Sequence, residues 1–138
     1  LTLGHIQVDA ALSYTIILTQ SPALSESHQT AQKLVSELIH YGNKIDRVFF
    51  YQDAAYVGLK SQIPGQGLQA SYQGWIDIKQ QQDFPLQICI ANALRRGIVD
   101  TTEASRYKEL ETLQNGFQLA GLGEIADACR SSDRIITL

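Results

Sequence analysis

Two cysteines among 138 residues are the most reactive groups this chain can offer. Cys89 sits near the end of the run Leu86-Gln87-Ile88-Cys89-Ile90 and directly before Ala91-Asn92-Ala93-Leu94-Arg95-Arg96. The first run reads as a buried strand, and the second as a short helix with Gly97 as its stop. A thiol at such a junction meets the free amides and partial positive charge of a helix start, which favour the thiolate. The same residue serves equally well as a small apolar core group, because free cysteines are commonly buried. Residue type and placement leave both readings open. Arg95 and Arg96 lie about 9 Å further along the helix, and their spacing suits helix-end charges or interface contacts better than direct thiolate partners.

Cys129, in Ala126-Asp127-Ala128-Cys129, falls at helical spacing from Ile125 and Ala126 and is expected on a core-facing helix side. It is too far from Cys89 to form a CxxC redox pair. The run Gly121-Leu122-Gly123-Glu124-Ile125-Ala126 matches the dinucleotide pattern GxGxxA. No acidic ribose ligand stands about 20 residues further on, so these glycines read as a turn into a helix. His5, His28 and His40 have no partners at metal-ligand spacing, and a solvated face is expected for His28 and His40. No HExxH, GxSxG or P-loop pattern is present, and Asp53 and Asp100 form no acid/base pair. Hydrolytic and nucleotide chemistry both lose ground.

These residues are positioned by a simple alternation. Tyr14 to Thr19, Ile45 to Tyr51 and Leu86 to Ile90 are short, nearly continuous apolar runs, the pattern of strands buried on both faces. Between them, apolar residues at Ala31, Leu34, Val35, Leu38 and Ile39 predict a helix from about Glu26 to Tyr41, with Ser25 as N-cap and Gly42 as its stop. A second helix is predicted from Leu68 to about Gln82, weakened by Gly74. Ile98-Val99 reads as a strand fragment, and Thr101 or Thr102 as the cap of a helix reaching Leu113. Phe117 to Leu119 is a further apolar piece, Gly123 to Cys129 a helix, and Arg134 to Leu138 a last strand.

The expected fold is therefore a single-domain three-layer α/β/α with a mainly parallel, about five-stranded sheet, flavodoxin-like in outline. Residues 1–13 are expected to be an extension outside a domain spanning residues 14–138. Ligands of such folds sit beyond the carboxyl ends of the strands. That places Ser21, Tyr51, Tyr56 and Asn92 as candidate neighbours of Cys89 in one cleft, although loop packing explains Tyr51 and Tyr56 equally well.

Net charge is −3, and no run of Lys or Arg exceeds two residues. Direct nucleic-acid binding and anionic-membrane binding are not expected, since both require concentrated positive charge. Nor does any apolar run reach the roughly 20 residues of a membrane span. Charged residues make up only 18% of the chain, which suggests that part of its surface faces a partner. No secretory leader is evident, and reduced cysteines in the cytoplasm are expected.

The segment LQICIANALRRGIVD (Leu86 to Asp100) resembles the active-cysteine segment of the TusD/DsrE family of sulfur relay proteins. The resemblance continues through VFFYQDAAYVG (Val48 to Gly58) and GFQLAGLGEIADACRSSDRII (Gly116 to Ile136), and covers about Tyr14 to Leu138. It implies a DsrE-like fold and a sulfurtransferase subunit that holds a persulfide on Cys89 and relays sulfur between carriers, with no metal or organic cofactor expected. The family pattern does not demand a cysteine at Cys129. The resemblance further implies TusC-like and TusB-like (or DsrF- and DsrH-like) paralogous subunits in a dimer of heterotrimers. A TusA-like donor and a TusE- or DsrC-like acceptor would complete the relay, toward 2-thiouridine at the tRNA wobble position. Three alternatives stand beside it: a DsrE-type subunit of intracellular sulfur oxidation, a non-catalytic assembly subunit, and a flavodoxin-type small-molecule binder.

Overall fold

The computed structural model describes residues 11–138, together with the backbone of two short antiparallel strands, β1 (Thr2–Leu3) and β2 (Ile6–Gln7). His5 lies outside the described residues. The main sheet has five strands: β3 (Ser13–Leu18), β4 (Lys44–Phe50), β5 (Leu86–Cys89), β6 (Phe117–Ala120) and β7 (Arg134–Thr137). All pair in parallel, in the order β6-β5-β4-β3-β7. The expected parallel three-layer α/β architecture is what forms.

Two helices cover one face of the sheet. α1 (Ser27–His40) turns Ala31 and Val35 onto Ile16 and Leu18 of β3 and onto Val48 and Phe50 of β4. α2 (Ser71–Lys79) adds Trp75 and Ile78 to the same cluster. Gly74, which weakens α2 as a sequence, sits directly against the Gln32 side chain, and that side chain donates to the Ser71 carbonyl at 3.0 Å. The glycine lets the two helices approach, an advantage set against its propensity cost of roughly 1 kcal/mol.

The chain steps outward from β3 through β4 and β5 to β6, then returns across the sheet to β7. That return is made by α5 (Gly123–Ser131) on the opposite face, as alternation requires for its partners Thr15 and Arg47. Ser132, just past α5, donates to Asp46 Oδ2 at 2.6 Å and accepts from Thr15 Oγ1 at 2.7 Å. Arg47 Nη1 donates to Thr15 at 3.0 Å, and its Nε lies 3.6 Å from Glu124 of α5. A chain of polar bonds fastens this helix beside its short inward stripe of Ile125 and Ala128.

Several expectations need correction, among them the N-cap of α1, which is Glu26 and not Ser25. Ile98 and Val99 form no strand; they are buried in the loop after α3 (Ile90–Arg95). The next helix, α4 (Thr101–Tyr107), is capped by Asp100, whose Oδ1 accepts from the Glu103 amide at 2.8 Å. It ends six residues before Leu113, because Lys108 turns left-handed at φ 57°, and Leu113 instead bridges to Leu59. Leu68 precedes α2 and is 71% exposed. Cys129 is exposed as well: the inward stripe of α5 runs through Ile125 and Ala128, and Cys129 lies one residue, about 100°, off it.

Candidate functional site

Because every strand of the sheet is parallel, all five carboxyl ends lie along one edge. Cys89 is the last residue of β5 and the N-cap residue of α3, with φ −55° and ψ 118°, so the backbone changes from strand to helix at the thiol itself. Leu86 and Ile88 enter the core on the α1/α2 face, and alternation turns Gln87 and Cys89 to the other side. Cys89 stands in register with Ala120 of β6 and is 2% exposed.

Immediately after β4, the chain forms a 3-10 turn over Gln52–Gly58 that packs against β5 and α3. Its inner residues Ala54, Ala55 and Val57 are buried in the core, and Gly58 lies so close to Ile88 that a side chain there would collide. Asn92, in the first turn of α3, accepts from the Gln52 amide through Oδ1 at 2.7 Å. Gln52 has φ 51°, a left-handed backbone uncommon outside glycine, and this bond helps hold it there.

Arg96 completes the fastening. Its Nε and Nη2 both reach Asp53 Oδ1, at 3.0 and 2.8 Å, and its Nη1 donates to the Asn92 carbonyl at 3.1 Å. The guanidinium also lies 5.8 Å from the centre of the Tyr56 ring, within cation–π range. Arg96 is thus neither a bare helix-end charge nor a free interface group, but a clasp between the 3-10 turn and α3. The sequence offered no specific sign of this pairing, since Asp53 and Arg96 are 43 residues apart.

The candidate neighbours divide accordingly. Tyr56 and Asn92 are drawn together by Arg96, and Tyr51 holds the end of β4 by donating its amide to Leu18 at 2.8 Å. Ser21 is engaged in its own turn, where its Oγ accepts from the Ala23 amide at 3.2 Å. A groove of about 870 Å³ lies elsewhere, between Pro22–Glu26 and Gln62–Ser71.

His28 was missed as a structural residue. It is buried, stacks on Phe50 with ring centres 5.7 Å apart, and reaches the Gln20 carbonyl through Nε2 at 2.9 Å. Its Nδ1 accepts from Trp75 Nε1 at 3.3 Å, which fits the neutral ring protonated on Nε2. Burial pushes its pKa down to about 4, against a smaller upward pull from the Gln20 bond. The expected solvated face is wrong for this histidine and right for His40, which is exposed. The overlooked signal was spacing: positions 28, 31 and 35 are separated by three and four, so His28 shares the apolar side with Ala31 and Val35.

Among the described residues, no group of His, Cys, Asp and Glu is arranged to hold a metal ion. No helix among them is long and apolar enough to cross a membrane.

The sequence profile of the DsrE/DsrF-like family matches residues 12–138, nearly the whole chain. The chain belongs to the DsrE/DsrF-like family. A Sulfurtransferase TusD homolog of Vibrio vulnificus (strain YJ016) is 36% identical over 128 residues, which is 92% of this chain and 98% of that protein. Sulfurtransferase TusD of Photorhabdus laumondii subsp. laumondii is 32% identical over 128 residues, with the same coverage. The crystal structure of the ychN protein from E. coli superposes with a TM-score of 0.73 at 26% identity, covering 92% of this chain and 99% of that one. The DsrE/DsrF-like fold therefore accounts for the five-stranded parallel sheet.

Proposed function

We propose that this chain is a sulfurtransferase subunit that carries sulfur as a persulfide on Cys89. The observation that carries the reading is the position of Cys89, at the strand-to-helix junction on the carboxyl edge of the sheet, in a chain 36% identical to a Sulfurtransferase TusD homolog. In the loading step the Cys89 thiolate attacks the outer sulfur of a donor persulfide. A new S–S bond forms at Cys89, the donor's S–S bond breaks, and the donor leaves as its thiolate. In the unloading step an acceptor thiolate attacks the outer sulfur on Cys89, which departs as thiolate again. Each step exchanges one S–S bond for another, so no net oxidant or reductant is consumed.

A 2% exposed thiol cannot be attacked in line without some movement of its surroundings. The 3-10 turn and α3, fastened by Arg96 and Asn92, are the elements that must yield when a carrier docks. TusC-like and TusB-like subunits in a dimer of heterotrimers, a TusA-like donor and a TusE-like acceptor fit this scheme. Its proposed setting is the cytoplasm and its end product tRNA wobble 2-thiouridine; a DsrE-type role in sulfur oxidation uses the same steps with a DsrC-like acceptor. The burial of Cys89 favours one second reading, a non-catalytic assembly subunit whose paralogue carries the sulfur.

A transfer experiment separates these readings. Chain preloaded with sulfane sulfur and mixed with a TusE-like acceptor is expected to lose about 32 Da as the acceptor gains it. A chain that never gains that mass, under conditions that load a paralogous subunit, would establish the assembly role instead.

A further inference from the structure

Four buried side-chain atoms among the described residues have no hydrogen-bond partner: Ser27 Oγ, Arg47 Nε, Gln87 Oε1 and Glu103 Oε2. Arg47 and Glu103 belong to ion pairs, with Glu124 at 3.6 Å and Arg106 at 3.7 Å. Ser27 is the half-buried first residue of α1, remote in the chain from the strand that carries Cys89. Gln87 is different. It is 6% exposed, lies inside β5, and its neighbours in register are the fully buried Phe49 and the edge residue Gln118. An amide oxygen buried without a partner is a standing cost, and an apolar residue of similar size would avoid it.

Gln87 also shares its strand face with Cys89, two residues further on. Two strand steps separate their Cα atoms by about 6.7 Å, and no hydrogen bond joins the two side chains in the unloaded chain. A sulfur added to Cys89 extends that side chain by about 2 Å, the length of an S–S bond. The amide of glutamine exchanges its oxygen for its two N–H donors by a half-turn.

Building on the carrier reading above, we propose that Gln87 is the polar partner of the outer sulfur in the loaded state, donating an amide N–H to it and remaining unpaired when Cys89 is free. A donor buried in register with Phe49 strengthens a charge-assisted bond to a sulfur anion, because little water competes for it. The residue would therefore lengthen the life of the persulfide without altering the free thiol.

The test compares the parent chain with Gln87→Met, which keeps the shape and removes the amide; Gln87→Leu serves if the first variant does not fold. Each is loaded with glutathione persulfide, freed of donor, and followed by intact mass; each reduced protein is also timed in its alkylation by iodoacetamide. The expected result is an unchanged or raised melting temperature, alkylation of reduced Cys89 within about twofold of the parent, and loss of the added sulfur roughly tenfold faster. Equal persulfide lifetimes in parent and variant would overturn the assignment of Gln87 while leaving the carrier reading intact, as expected if a bound water satisfies the amide. A parent chain that gains no sulfur at Cys89 would overturn the carrier reading, and this inference with it.

Discussion

Arg96 places two of its nitrogens, Nε and Nη2, on the same oxygen of Asp53, at 3.0 and 2.8 Å. That pairing ties the residue ending the short helix after Cys89 to the turn leaving the neighbouring strand. The pair is partly exposed, with side-chain accessibilities of 21% and 57%, so its direct contribution is modest. Arg96→Met is expected to cost about 1 kcal/mol in urea unfolding and to speed alkylation of Cys89 at native pH. Unchanged alkylation would mean that the clasp does not control access to the thiol.

Asn92 holds the same turn one residue earlier, at Gln52. Asn92→Ala removes the acceptor for the Gln52 amide and is expected to cost about 1 kcal/mol. Amide hydrogen exchange at Gln52 should accelerate, while exchange within β4 stays as it was. A Gln52 amide as protected in the variant as in the parent would contradict the assigned bond.

His28 gives the fold a pH dependence whose sign is fixed. Its folded pKa of about 4 lies below the ordinary 6.5, so the folded state favours the neutral ring. The associated stability is complete above pH 6.5 and is lost as pH falls toward 4, amounting to about 3 kcal/mol in full. Urea unfolding of the parent and His28→Gln at pH 7 and pH 4.5 measures this as a difference of differences. The parent should lose more stability than the variant on acidification; equal losses would exclude His28 as the source.

Gly58 tests the packing that seats the 3-10 turn on β5. A methyl group at Gly58 would run into the Ile88 side chain and press on Leu113 at 3.1 Å. Gly58→Ala is expected to destabilise by roughly 1–3 kcal/mol. Adding Ile88→Val, which deletes the offending methyl, should recover part of that loss. Additive losses in a double-mutant cycle would show that the two positions do not meet.

What the sequence revealed and what it concealed follow from the range of the forces involved. β3, β4 and β5 were legible because both faces of a parallel strand are buried, and runs such as Val48-Phe49-Phe50 leave no other reading. Gly42 and Gly97 were legible stops, and both have positive φ in the structure, 86° and 77°. The end of α4 was not legible, because Lys108 gives no sign of its left-handed turn. The location of Cys129 failed because a spacing of four from Ile125 fits the same helix side nearly as well as a spacing of three, and the structure turns Ala128 rather than Cys129 inward. Cys89 itself was located by its junction, but the clasp from Asn92 and Arg96 to Gln52 and Asp53 is a tertiary pairing that no local pattern encodes.

The central claim concerns a single sulfur on a single residue. Intact-mass spectrometry after incubation with glutathione persulfide tests it most directly, on the parent chain, Cys89→Ser and Cys129→Ser. The parent and Cys129→Ser should each gain about 32 Da that a reductant removes, and Cys89→Ser should gain nothing. Sulfur retained by Cys89→Ser, or lost from Cys129→Ser, would contradict the assignment of Cys89 as the carrier.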